Sequence, residues 1–147
     1  MTSLSSLASE MSDKWPDVKG GHSFWEHEWD KHGTCSGLTQ LDYFSAALGL
    51  LVDTPPMVRQ SIGSTVMRDD LLEFYGDEGT TALICKGGGY LSEVRMCFAR
   101  GEGGAVGDRI VCPEAILNED SCGEEIKVAA FGEGEDGSSG GAVVETM

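Results

Sequence analysis

The hydrophobic period of the chain changes once, at Gly76-Asp77-Glu78-Gly79, and that change limits the fold more than any other feature. Ahead of it, apolar residues recur at helical spacing. Leu4, Leu7 and Met11 define a short amphipathic helix that ends before Trp15-Pro16, because a residue preceding proline is pushed out of the α region. Leu41, Phe44, Leu48 and Leu51 mark a core stripe on a helix over about 40–52, halted by Pro55-Pro56. Shorter helices are expected within 57–75. Behind the break, Thr81–Lys86, a triple glycine and Tyr90–Ala99 read as a hairpin, with Val94, Met96 and Phe98 alternating onto one face. A further strand is expected over Gly107–Cys112. Helices first and an antiparallel sheet later specify an α+β fold. From Gly132 the chain is mostly Gly, Ser and acid with few apolar residues, so one domain over 1–131 and a disordered tail over 132–147 are expected.

The chemistry concentrates in residues 24–35, Phe-Trp-Glu-His-Glu-Trp-Asp-Lys-His-Gly-Thr-Cys. Ser23 and Glu26 stand at capping-box spacing, which predicts a helix from about Phe24. Gly33 stands where a left-handed C-cap is wanted, which predicts its end at His32. On a wheel of ~100° per residue, Glu28 centres one face with Lys31 and His32 on either side and His27 at the edge. Trp25 and Trp29 form an adjoining apolar stripe, and Glu26 and Asp30 point away. A carboxylate one turn from an imidazole can orient that ring and favour its charged form, as a general acid or base requires. Lys31 and His27 on the same side suit an anionic centre such as a phosphate gaining charge. The plainer reading of such a helix is a surface laced with i,i+4 charge pairs. The two tryptophans and the crowding of titratable groups favour the chemical one.

A zinc-protease helix needs His at i and i+4 with Glu at i+1. His27 and His32 are five apart, about 140° round a regular helix, and diverge. Further ligands, His22 and Asp17, are poorly placed. No metal site and no cofactor are expected. Gly87-Gly88-Gly89 has neither a following Lys-Ser/Thr nor a helix after it, so it reads as a turn and not a phosphate loop.

Phe24–Cys35 closely resembles the second active-site segment of the ribonuclease T2 family, acid endoribonucleases of secreted and vacuolar compartments. Met11 with Trp15-Pro16 resembles the family's approach to that helix. Tyr43-Phe44, Ala82 through Cys85 to Leu91-Ser92-Glu93-Val94 and Cys97, then Cys112-Pro113, Cys122 and Ile126, extend the similarity over roughly 4–131. The resemblance implies RNA as substrate, cleaved by transphosphorylation to 2′,3′-cyclic phosphate ends. It implies His32 as general base, Glu28 as its orienting carboxylate, and His27 and Lys31 as phosphate-holding groups. It further implies the disulfides Cys97–Cys112 and Cys85–Cys122, where spacing alone leaves three pairings open. Cys35 matches a cysteine that pairs upstream in the family, so it is expected free.

Family members also carry an earlier histidine, in a His-Gly-Leu-Trp-Pro setting. The histidines here are His22, His27 and His32, and no such segment occurs. The expectation is therefore a fragment lacking the first catalytic histidine and nearly inactive on its own. A non-catalytic binding or interaction protein on the same scaffold is the alternative.

Charge bears on both. With 25 Asp+Glu against 10 Lys+Arg the formal net is −15, which disfavours tight RNA binding at neutral pH but less so an enzyme of acid compartments. Residues 119–147 hold eight of the acids and one lysine, away from the motif. The first residues show no basic and then apolar run of a signal peptide, and no stretch of about 18 apolar residues could span a membrane. A monomer of a secreted or vacuolar parent is expected.

Overall fold

A computed structural model describes residues 4–17, 20–52 and 54–130. The tail expected over 132–147 lies outside them. Among the described residues two compact units form: the first within 4–52 and 100–107, the second within 54–99 and 108–130.

The first unit is helical. α1 (Ala8–Lys14) and α3 (Gln40–Leu50) flank the motif segment, which begins as α2 (Ser23–Glu28). Leu4, Met11, Trp25, Tyr43, Phe44 and Leu48 are buried together, with Leu7, Trp15, Phe24, Trp29 and Leu38 packed against them. The aromatic rings meet edge to face, Trp15 on Phe24 at 5.4 Å and Tyr43 on Phe44 at 5.2 Å, a geometry that aligns ring edges with ring faces. Thr39 caps α3 by accepting from the Asp42 backbone N–H at 3.2 Å. The expected stripe on α3 holds at Phe44 and Leu48. Leu41 faces solvent at 36% exposure, and Tyr43 takes a core position instead.

The second unit carries the sheet. Between the short helices α4 (Pro56–Gln60) and α5 (Arg68–Tyr75) runs a strand that the sequence did not announce, β1 (Thr65–Met67). β2 (Thr81–Lys86) and β3 (Tyr90–Met96) form the expected hairpin, antiparallel with Leu83 opposite Val94 and a bulge at Ile84/Cys85. Gly87, Gly88 and Gly89 make its turn with φ of 54°, 85° and 101°, which an L side chain rarely adopts. β4 (Phe98–Arg100) and β5 (Val106–Arg109) pair as a separate ribbon. After α6 (Glu114–Leu117) the chain returns as β6 (Glu125–Lys127), and the main sheet runs β1-β6-β3-β2. The class is α+β. The sheet is mixed, because β6 runs parallel to β3 at Tyr90↔Lys127 while its partner β1 is antiparallel.

β2 is buried on both faces, which its continuous apolar run requires. Leu83 joins Val66, Leu71, Leu72, Tyr75, Val94, Met96 and Ile126 on one side. Ala82 and Ile84 join Cys112 and Ile116 on the other. As the terminal strand, β2 would leave backbone groups unpaired on its outer edge. Residues 120–122 lie along that edge. Asp120 accepts from Leu83 N–H at 2.9 Å, the Ser121 and Cys122 N–H groups donate to Leu83 O, and Ser121 Oγ accepts from Cys85 N–H. The disulfide Cys85–Cys122 closes this contact covalently, and Cys97–Cys112 ties the end of β3 to the start of α6; Cys35 is free and exposed.

Candidate functional site

The motif helix begins one residue earlier than its spacing predicts, and by a different device. No capping box forms at Ser23 and Glu26. Asp17, across the preceding loop, accepts from Ser23 Oγ at 3.1 Å and from the Phe24 N–H at 3.0 Å. A carboxylate satisfying a first-turn amide complements the positive end of the helix. Trp25 is pinned by its indole N–H, which donates to the Trp15 carbonyl at 2.8 Å, and the His22 ring stacks on it at 5.0 Å.

The end of the helix departs further from expectation. Regular α geometry stops at Glu28, and Trp29–Gly33 forms a π turn closed by Thr34 N–H to Trp29 O at 3.0 Å. Gly33 is not a left-handed cap. A Cβ there would stand 2.1 Å from Cε3 of the Trp29 ring, so glycine is needed for close approach. The carbonyls at this terminus are taken up by the residues that follow. Thr34 Oγ1 donates to Asp30 O at 3.1 Å, Cys35 Sγ to His32 O at 3.4 Å, and Ser36 Oγ to Gly33 O at 2.6 Å. Arg100 donates to the Ser36 carbonyl, and Gly104 is free of a Cβ that would stand 2.6 Å from the same oxygen.

On this frame His27, Lys31 and His32 are exposed and Glu28 is half-buried, while Glu26 and Asp30 are exposed. Among the described residues, no hydrogen bond or ion pair occupies the side chains of His27, Glu28, Lys31 or His32. Glu28 therefore acts on its surroundings through its charge. Tyr43 registers that charge: burial first, then the proximity of Glu28 and Cys35, push its hydroxyl up to about 12. Trp29, edge-on to Tyr43 at 5.7 Å, completes the apolar floor. No three His, Cys, Asp or Glu side chains among the described residues are arranged to hold a metal ion.

The sequence marked Asp17 only as a poorly placed metal ligand and Tyr43 only within the family resemblance, and it did not mark Arg100 at all. Asp17 lies in a loop and Arg100 is distant along the chain, so neither carries a periodic signal.

The ribonuclease T2 family model matches residues 1–106. Ribonuclease 1 of Arabidopsis thaliana is 32% identical over 152 aligned positions, covering 88% of this chain and 62% of that protein. Intracellular ribonuclease LX of Solanum lycopersicum is 36% identical over 91, covering 59% of this chain and 38% of its own length. A ribonuclease-like storage protein of Panax ginseng is 45% identical over 53, covering 33% and 22%. The chain thus spans less than two thirds of the length of these relatives. No solved structure matches it significantly. The family match runs through the whole motif segment and most of the chain, and this chain belongs to the ribonuclease T2 family.

Proposed function

We propose that the chain carries the base-bearing half of a metal-independent endoribonuclease site acting on single-stranded RNA. One observation carries the reading. Within a family match, two imidazoles and an ammonium stand solvent-accessible beside one half-buried carboxylate, on a helix anchored by buried tryptophan. His32 takes the proton of the ribose 2′-hydroxyl. The 2′-oxygen forms a bond to its own phosphorus, and the bond from phosphorus to the 5′-oxygen breaks, leaving a 2′,3′-cyclic phosphate. Because this nucleophile is internal and already in place, no metal is needed to generate it. His27 and Lys31 hold the phosphate as it gains charge. Glu28 stabilises the protonated ring electrostatically. The departing 5′-oxygen needs a proton donor, and the family's His-Gly-Leu-Trp-Pro segment, which these 147 residues do not contain, is where we assign it. Two disulfides support an oxidising compartment, secretory or vacuolar.

The experiment compares the chain alone with the chain preceded by a family His-Gly-Leu-Trp-Pro segment, on purified RNA. The extended protein should yield cyclic phosphate ends with an acidic optimum, and His32→Ala should abolish them. A positioned general acid is worth ~10²–10⁴ in rate, so the chain alone should be slower by at least that much. Equal rates would overturn the two-histidine mechanism. A second reading, a non-catalytic relative, is favoured by the net charge of −15 and by the name of the ginseng storage protein. It predicts no cleavage from either form.

A further inference from the structure

The spacing of His27 and His32 is awkward for a shared task. Five residues along a regular α-helix turn the second ring about 140° from the first. The segment between them is not regular. From Trp29 it widens into a π turn, whose i→i+5 hydrogen bonds put more than 3.6 residues into each turn and so reduce the rotation between the two rings. Such turns are costly and need an external cause. Here the cause is visible: the six-membered ring of Trp29 lies directly on Gly33, with Cε3, Cζ3 and Cδ2 at 2.1, 2.8 and 2.9 Å from where a Cβ would be. That ring is held in turn by Tyr43, and Gly33 is buried beneath it.

We propose that Trp29 and Gly33 are positioning residues, a ring-on-glycine contact that holds the π turn and so brings His27 and His32 towards one phosphate. The inference rests on the reading of these histidines as phosphate-handling groups. In this role neither Trp29 nor Gly33 needs to touch substrate. Their part is to set the angle between groups that do. The three donors that follow, Thr34, Cys35 and Ser36, then accommodate the carbonyls that the widened turn leaves without regular partners.

The test is a double-mutant cycle on the full chain, with Gly33→Ala, Trp29→Leu and the two combined. Two quantities are read: the urea midpoint, and the response of the His27 and His32 ring signals in NMR to added inorganic phosphate. In the parent chain both rings should respond with one common affinity. Gly33→Ala should lower the midpoint and weaken phosphate binding at least tenfold, because its methyl collides with the indole. With Trp29→Leu already present the collision is absent, so adding Gly33→Ala should change affinity less than threefold. If Gly33→Ala does not fold while the combined variant does, the contact is supported. If both fail to fold, or if Gly33→Ala costs the same in either background, the ring is not the cause and the proposal is overturned. It is also overturned if Gly33→Ala lowers the midpoint but leaves both rings responding to phosphate as before. Absence of any phosphate response in the parent chain would sink the phosphate reading itself, while the urea cycle would still report on the turn.

Discussion

Replacing Asp120 with alanine should destabilise the second unit by about 3–5 kcal/mol, the range for breaking a largely buried ion pair. Both Asp120 oxygens receive Arg68, at 2.9 Å each, and one also accepts the Leu83 N–H at 2.9 Å. The side chains are 11% and 18% exposed, so water replaces little of what is lost. An orphaned strand amide costs about 1–3 kcal/mol, and the charge-assisted bonds about 1.5–3 more. Arg68 keeps the Cys122 carbonyl at 3.1 Å and the exposed Glu78 at 3.5 Å, which keeps the total from rising further. Burial alone would push the Asp120 carboxyl up, but the Arg68 hydrogen bonds and the Leu83 amide outweigh it and hold it below its ordinary value. The unfolded chain therefore takes up the proton at a higher pH than the folded one. The contribution is fully present above 3.8 and is lost as pH falls through the lower folded value. Urea unfolding of Asp120→Ala, Asp120→Asn, Arg68→Ala and the double alanine variant, followed from pH 7 down, measures this. The two alanine changes should be non-additive by about 2 kcal/mol, and Asp120→Asn should flatten the acid limb. Additive losses, or less than about 1 kcal/mol for Asp120→Ala, would show that the pair is a surface contact and refute the argument.

Alkylation of the oxidised, unfolded monomer should label Cys35 alone. Removing the Cys97–Cys112 bridge, which closes a separation of 15 residues, should cost ~3 kcal/mol in the chain-entropy model; five labelled thiols in the untreated protein would contradict both bridges. Alkaline spectrophotometric titration should find Tyr43 ionising near 12, and Tyr43→Phe should remove that step. Because its folded value is raised, the stability it contributes should be intact below 10 and fall as pH rises towards 12. RNA cleavage by the extended protein should survive EDTA, and loss restored by zinc would reverse the assignment of a metal-free mechanism.

Where the chain announced its structure, it did so through repetition. The α3 stripe and the β2–β3 alternation are long enough for a period to register, and both are present, with Phe44, Leu48, Val94 and Met96 in the core. β1 and β6 are three residues each, too short for the two-residue strand period to repeat, and their pairing joins positions as far apart as Val66 and Ile126. Nothing local marks them. The motif helix was legible as an amphipathic face, yet its turn was not. A wheel assumes one rotation per residue, and the π turn exists because an indole lies on Gly33, a three-dimensional fact. The same holds for Asp17, whose capping role depends on where a loop returns.

The seal along β2 has a further consequence, for how the protein meets other copies of itself. An uncovered strand containing Leu83 and Ile84 is a template for another chain's backbone, and residues 120–122 occupy that template from within. The seal is tethered by Cys85–Cys122 and by a carboxylate that loses its grip once protonated. A reducing and strongly acidic medium should weaken both tethers at once, and strand-on-strand assembly should then begin at β2.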